Sequence, residues 1–380
     1  VAVTECAEPA RTRLLPRRGA ARVAGVALVV LLSGCGGDGF GWRQADDTPA
    51  SPQAAGPAEA AGSADASGSA EASPAPRPPQ ARHVVAVSID GLTPAAMSEL
   101  GTAGASVLWR LVTEGASTLD ARTSLERTVT LPNHTGMLTG RRVVAERGGH
   151  GVTMNYDPGG TIADLAGEPV SSVFDVVHAH DGETALFASK SKFELFQRSW
   201  PAALDRFEVI EDNTVMADGA AAAFATDPAT FTFVHFSLPD QTGHEHGWMG
   251  AEYLNAVRTV DELLGRLVAS VESDARVARR TLLIVTADHG GSGNTHADRL
   301  REEDYTVPFV VWGAGVPRGL DLYDLNPRLA DPGDGRPGYR GRQPLRNGDL
   351  ANVALTALGL PAVPGSEFDA AQRIVIRAPR

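Results

Sequence analysis

Beyond residue 82 the apolar positions of this chain fall into two alternating rhythms. Short, mostly apolar runs at residues 84–89, Phe231–Phe236, Thr281–Thr286 and 307–312 have the length and composition of strands covered on both faces. Between them lie stretches with a helical period. Ser106–Glu114 is one, and residues 252–271 form another, with Leu254, Val257, Val260, Leu263, Leu264 and Leu267 along one stripe. Residues 351–358 predict a late helix, opened by Asn347-Gly348-Asp349 with Asp349 placed to cap it. Strands alternating with helices predict an α/β domain, a doubly wound, mainly parallel sheet flanked by helices. Such sheets bind ligands beyond the carboxyl ends of their strands.

The first 82 residues follow neither rhythm. Arg11, Arg13, Arg17, Arg18 and Arg22 precede an apolar run at 23–32, which is the layout of an export signal. That run is too short to span a bilayer comfortably. It ends in Leu32-Ser33-Gly34-Cys35, which resembles the bacterial lipoprotein signal, where cleavage precedes a cysteine that becomes lipid-modified. Residues 44–81 contain no Val, Leu, Ile, Met or aromatic side chain, so nothing there is available to bury. The expected organisation is a signal peptide at 1–34, a lipidated Cys35 with a disordered tether through residue 82, and a catalytic domain at 83–380. The tether would reach about 40 Å on average. It would hold the domain on the outer side of a bacterial membrane, in the periplasm or at the cell surface.

Charge and cysteine content narrow the chemistry. A net charge of −12 argues against a nucleic acid duplex as partner, because phosphate backbones select basic surfaces. The two cysteines, Cys6 and Cys35, both precede the expected domain. A disulfide framework, a cysteine-based zinc site and a thiol nucleophile are therefore excluded for that domain. Any metal must be held by His, Asp and hydroxyl oxygens.

Those residues gather where strands should end. Asp90 follows the run at 84–89, and Asp240 follows Phe231–Phe236 with His244 four residues on. Asp288 and His289 follow Thr281–Thr286, and His296 stands in the next loop. One such Asp is commonly only a turn former. Three strand ends carrying acid, two of them with His nearby, point to a metal centre. Thr130 opens Thr130-Leu131-Pro132-Asn133-His134-Thr135-Gly136, where the proline predicts a helix start with Thr130 at its amino end. Free N–H groups there suit a phosphate. A threonine hydroxyl needs activation to act as a nucleophile, and a metal held by Asp90, Asp288 and His289, with Thr130 as an added ligand, would provide it. A second metal held by Asp240, His244 and His296 would complete the clamp used for in-line phosphoryl displacement. Mixed His and carboxylate donors suit two divalent ions, zinc best.

Val87-Ser88-Ile89-Asp90-Gly91, Thr130-Leu131-Pro132-Asn133-His134, Asp240-Gln241-Thr242-Gly243-His244 and Ala287-Asp288-His289-Gly290-Gly291 resemble the metal-site motifs of the alkaline phosphatase superfamily. They are most like its type I phosphodiesterase/nucleotide pyrophosphatase branch, and the likeness runs from about residue 84 to 360. The resemblance implies a metal-dependent phosphate ester hydrolase that forms a phosphothreonine at Thr130. It also implies an asparagine donor to a phosphoryl oxygen, for which Asn155 in His150-Gly151-Val152-Thr153-Met154-Asn155 is the candidate, although the loop at 141–149 departs from the family pattern.

Substrate choice points to Lys190-Ser191-Lys192 after the apolar run at 185–188. If that strand continues, Lys190 and Lys192 share a face. They then resemble the paired basic residues that some phosphomonoesterases and phosphonoacetate hydrolases of the superfamily place over a substrate's extra negative charge. The expected partner is a small phosphate ester, monoester or diester, with a phosphonoacetate-type C–P hydrolase as the alternative and a non-catalytic surface lipoprotein as the remaining reading. A phosphoethanolamine transferase fits less well, because those enzymes usually carry a transmembrane bundle. Tyr156, Phe193, His246 and Trp248 are open as pocket or packing residues, and His178 and His180 read as surface positions.

Overall fold

The computed structural model describes residues 80–377. Cys35, the signal and nearly all of the tether lie outside the described residues. Gln80 and Ala81, expected in the tether, already pack on the body: both backbone N–H groups donate to the carbonyl of Ala357, and Ala81 is buried.

Among the described residues, eight strands form one sheet: β1 His83–Ile89, β2 Ala116–Arg122, β3 Thr184–Ala188, β4 Arg206–Val209, β5 Phe231–Phe236, β6 Thr281–Thr286, β7 Thr306–Gly313 and β8 Leu320–Asp321. Their spatial order is β4-β3-β5-β1-β6-β7-β2-β8. Every residue of β3, β5 and β6 is buried, as are all but the first of β1. The mostly apolar runs thus reflect helices on both faces. One helical layer combines Pro94–Gly104, Ser106–Glu114, Asn213–Thr226 and Ala251–Glu272; Thr130–Thr139, Val173–His178 and Leu350–Leu358 pack together elsewhere on the sheet. Among the described residues, no helix is long and apolar enough to cross a membrane.

The register does the work of assembling the site. Ala188 pairs with His235, His235 with Ser88, and Ser88 with Thr286. Four parallel strands therefore end at one level, and Ser189-Lys190, Ser237, Asp90 and Ala287-Asp288 all leave the sheet together.

The sheet is mainly parallel as expected, with one reversed strand, and two finer expectations need correction. The run at 307–312 is a strand, but β7 runs antiparallel to both β6 and β2. Only the short helix Glu302–Tyr305 interrupts the β6–β7 connection, so no long crossover helix carries the chain back to start a parallel strand. The late helix begins at Leu350 with Asp349 before it, but Asp349 makes no side-chain cap to that helix. Its carboxylate instead accepts from the backbone N–H of Arg346 at 2.7 Å, closing the short turn at Asn347–Asp349. Finally, β3 stops at Ala188 and a 3-10 turn covers Ser191–Phe193, so the two lysines do not share a strand face.

Candidate active site

Asp90 leaves β1 into Gly91, whose φ of +74° is open to glycine at little cost. A Cβ at Gly91 would also come within 3.1 Å of the Asp240 Cα. Its N–H donates to Asp288 Oδ1 at 3.2 Å, tying the β1 turn to the β6 turn. Asp240 lies in the first turn of the helix Leu238–His246, and His244 stands one turn later on the same face. Trp248 is wedged where Gly243 and Gly291 have no side chain, and its indole N–H donates to the Gly91 carbonyl at 3.0 Å.

The side chains converge. His289 Nε2 is 3.1 Å from Asp288 Oδ2, 3.3 Å from Asp90 Oδ1 and 3.9 Å from Asp240 Oδ1. His296 Nε2 and His244 Nε2 are each 3.5 Å from Asp240 Oδ1. Two buried groups have the compactness of a metal site: Asp90, Asp288 and His289, and Asp240, His289 and His296. His289 joins both, while His244 stands at the exposed edge with its Nε2 only 3.0 Å from that of His296.

The proton positions of these histidines follow from their other nitrogen. Nδ1 of His289, His296 and His244 faces the carbonyls of Gly290, Thr128 and Asn294 at 2.8, 2.6 and 3.1 Å. A carbonyl only accepts, so each Nδ1 carries the proton and each Nε2 presents a lone pair inward. Asp90 Oδ1, Asp240 Oδ1 and Asp288 Oδ2 are also buried and without a hydrogen-bond partner. Lone pairs and carboxylate oxygens aimed at one another in a buried space suit divalent cations, and His with Asp is a donor set that accepts zinc.

Electrostatics agree with that fit. Burial, together with the charges of Asp90 and Asp240, pushes the Asp288 carboxyl well above the usual carboxylate range. Burial also pushes Asp90 upward, but Lys190, the His235 hydrogen bond and His289 outweigh it and hold Asp90 well below that range. His289 and His296 are pushed down by burial and stay neutral, as ligating imidazoles must. Lys190 Nζ bridges Asp90 Oδ2 at 2.6 Å and Asp240 Oδ2 at 2.5 Å, one carboxylate from each group.

Thr130 is the first residue of the buried helix Thr130–Thr139, after Val129 in extended conformation, and its Oγ1 lies 3.5 Å from His289 Nε2. Asn155 Oδ1 accepts from the Leu131 N–H at 3.0 Å and from Lys192 Nζ at 3.1 Å. Its amide NH2 is therefore the donor that remains beside Thr130. Asn155, Tyr156, Lys190, Lys192, Asp240 and His244 line a cavity of about 600 Å³. Tyr156 is exposed there, whereas Phe193 and Trp248 are buried packing residues. His178 and His180 are exposed, in keeping with surface positions.

Several residues at the site escaped the sequence reading. His134 Nδ1 donates to the Thr130 carbonyl, and its Nε2 accepts from Ser88 Oγ, both at 2.8 Å. Asn347 Nδ2 donates to the carbonyls of Ala287 and Asp288 from the opposite side. His235 Nε2 lies 3.0 Å from Asp90 Oδ2. The available signal was a histidine inside the mostly apolar run Phe231–Phe236, where a buried polar ring must have a partner.

Residues 176–309 match the model of the family described as type I phosphodiesterase/nucleotide pyrophosphatase. The matched segment holds Lys190, Lys192, Asp240, His244, Asp288, His289 and His296 but neither Asp90, Thr130 nor Asn155. Over 161 residues the chain is 32% identical to GPI ethanolamine phosphate transferase 1 of Neurospora crassa, an alignment covering 40% of this chain and 14% of that protein. The chain thus spans about a seventh of that relative's length. Among solved structures it is similar to murine ectonucleotide pyrophosphatase/phosphodiesterase 5, determined in an inactive form with AMP (TM-score 0.56, 14% identity, 77% of this chain and 99% of that one). It is also similar to an alkaline phosphatase superfamily protein from Vibrio parahaemolyticus (TM-score 0.51, 14% identity, 76% and 70%). The fold is similar to that of these structures, a mixed, mostly parallel sheet of eight strands between helices.

Proposed function

We propose, taking the alkaline phosphatase-type fold as premise, that this chain is a metal-dependent hydrolase of small phosphate esters. The observation that carries it is the convergence of three inward-facing imidazole lone pairs with three unpartnered carboxylate oxygens beside the Thr130 hydroxyl. Asp90, Asp288 and His289 with Thr130 would hold one ion and Asp240, His244 and His296 the other, zinc suiting both; bound there, the ions supply the Lewis acidity that lowers the threonine pKa and neutralises phosphoryl charge.

The chain's own groups perform the rest. Thr130 Oγ attacks phosphorus, the bond from phosphorus to the leaving oxygen breaks, and a phosphothreonine forms with release of the alcohol. Water then cleaves the phosphothreonine, giving phosphate (or a phosphate monoester, from a diester) and restoring Thr130. The Asn155 amide NH2 donates to a phosphoryl oxygen. Hydrolysis of p-nitrophenyl phosphate and of bis-p-nitrophenyl phosphate tests this directly. Zinc-dependent turnover should fall by at least about 10³-fold in Thr130→Ala; turnover that survives the substitution would remove the covalent route.

The ratio of the two activities addresses Lys190 and Lys192. Lys192 at the mouth supports a substrate with a second negative charge, a monoester or a phosphonoacetate-type carboxylate, while Lys190 is engaged by Asp90 and Asp240; the AMP complex of the murine relative is consistent with a small phosphate ester. Export and lipid anchoring at Cys35 belong to the same proposal, supported by the signal-like segment. Expressed in a bacterial host, the protein should sediment with membranes, and Cys35→Ser should leave it in the soluble fraction; equal partitioning of the two would exclude the anchor.

A further inference from the structure

His235 has the opposite tautomer from the three inward-facing histidines. Its Nδ1 receives the backbone N–H of Ser189 at 3.3 Å, and an N–H can only donate. The ring proton of neutral His235 is therefore on Nε2, which points at Asp90 Oδ2 at 3.0 Å. Both side chains are fully buried. Asp90 Oδ2 is held by His235 and by Lys190 Nζ, whereas the other oxygen, Oδ1, has no hydrogen-bond partner and faces the first metal group.

The ring itself is clamped. Phe193, at the end of the turn that carries Lys190 and Lys192, lies over it with centroids 4.3 Å apart, and His134 meets it edge-on at 4.9 Å. Ser189 Oγ donates to the His235 carbonyl at 2.9 Å and accepts from the Ser237 N–H at 2.8 Å, while Asn213 Oδ1 accepts from that same N–H. The ends of β3 and β5 are thus stitched together around His235, with no water needed to satisfy it.

We infer that His235 is a positioning residue for Asp90: by donating to Oδ2 it turns Oδ1 toward the first metal group and sets the affinity of that group for its ion. The inference rests on the metal-binding reading of Asp90. It does not make His235 a ligand, because its inward nitrogen carries a proton.

The test is zinc affinity of the purified full-length protein, stripped with EDTA and titrated with zinc chloride against a chromophoric chelator. The parent should bind two zinc ions. His235→Phe keeps the ring volume and removes the donor, and should weaken one of the two sites by about 10- to 100-fold while leaving the other within about threefold. His235→Gln, whose amide can donate to Asp90, should recover most of that loss. Should the phenylalanine variant not fold, His235→Met enters the same comparison. Parent-like affinity in the folded variant without a donor would overturn the inference, and so would equal losses in the glutamine and phenylalanine variants, which would indicate packing alone. A parent that binds no zinc overturns the metal reading and this inference with it.

Discussion

Which nitrogen of an imidazole carries the proton decides what that residue can do, and at this site the backbone makes the decision. Carbonyls of Gly290, Thr128 and Asn294 place the protons of His289, His296 and His244 on the outer nitrogens, while the Ser189 N–H does the reverse for His235. The same logic orients Asn155. Because the Leu131 N–H must donate, Oδ1 is committed, and on the proposed mechanism the NH2 would serve an oxygen of the transferring phosphoryl group. Asn155→Ala should accordingly lower kcat by about 10²-fold. KM for p-nitrophenyl phosphate should change far less, since the missing donor matters most where charge develops. A steady-state comparison in which KM rises and kcat does not would assign Asn155 to ground-state binding instead.

At the level of elements, much of the sheet is legible because buried strands leave mostly apolar runs, and β5 and β6 coincide with theirs. The acids that follow them are legible for the same reason: a polar cluster directly after a buried run must lie at a strand end. What cannot be read is direction and turn. The 307–312 run has the same composition whichever way β7 points, and its reversal depends on a connection that lacks a crossover helix. Lys190 and Lys192 look like residues of a continuing strand, but the chain turns after Ala188, and the turn sends one ammonium to Asp90 and Asp240 and the other to Asn155. His235 illustrates a different limit. Its position in a buried strand is plain in the sequence, but its partner lies 145 residues earlier and is chosen by the β1–β5 register.

For the molecule as a whole, the site concentrates negative charge in a protein already at −12. Asp90, Asp240 and Asp288 are buried together, and Lys190 is the cation that bridges two of them. Bound ions should therefore contribute to global stability as well as to chemistry, since any ligand of the folded state raises it by mass action. EDTA should lower the melting temperature by roughly 5 °C or more relative to the zinc-loaded protein. Readdition of zinc should restore it, and a calorimetric scan unaffected by chelation would argue that Lys190 alone compensates the carboxylates.

The common level at which β3, β5, β1 and β6 end has a consequence for how such a protein can be re-engineered. Inserting one residue in any of these strands would move a side chain of the candidate site by about 3.3 Å and turn it to the other face, so the scaffold is intolerant of small edits there. The mouth is different. Tyr156 and Lys192 come from two separate connections that can be lengthened or exchanged one at a time. A library confined to those connections would diversify the choice of ester while leaving the reacting atoms where the strands hold them.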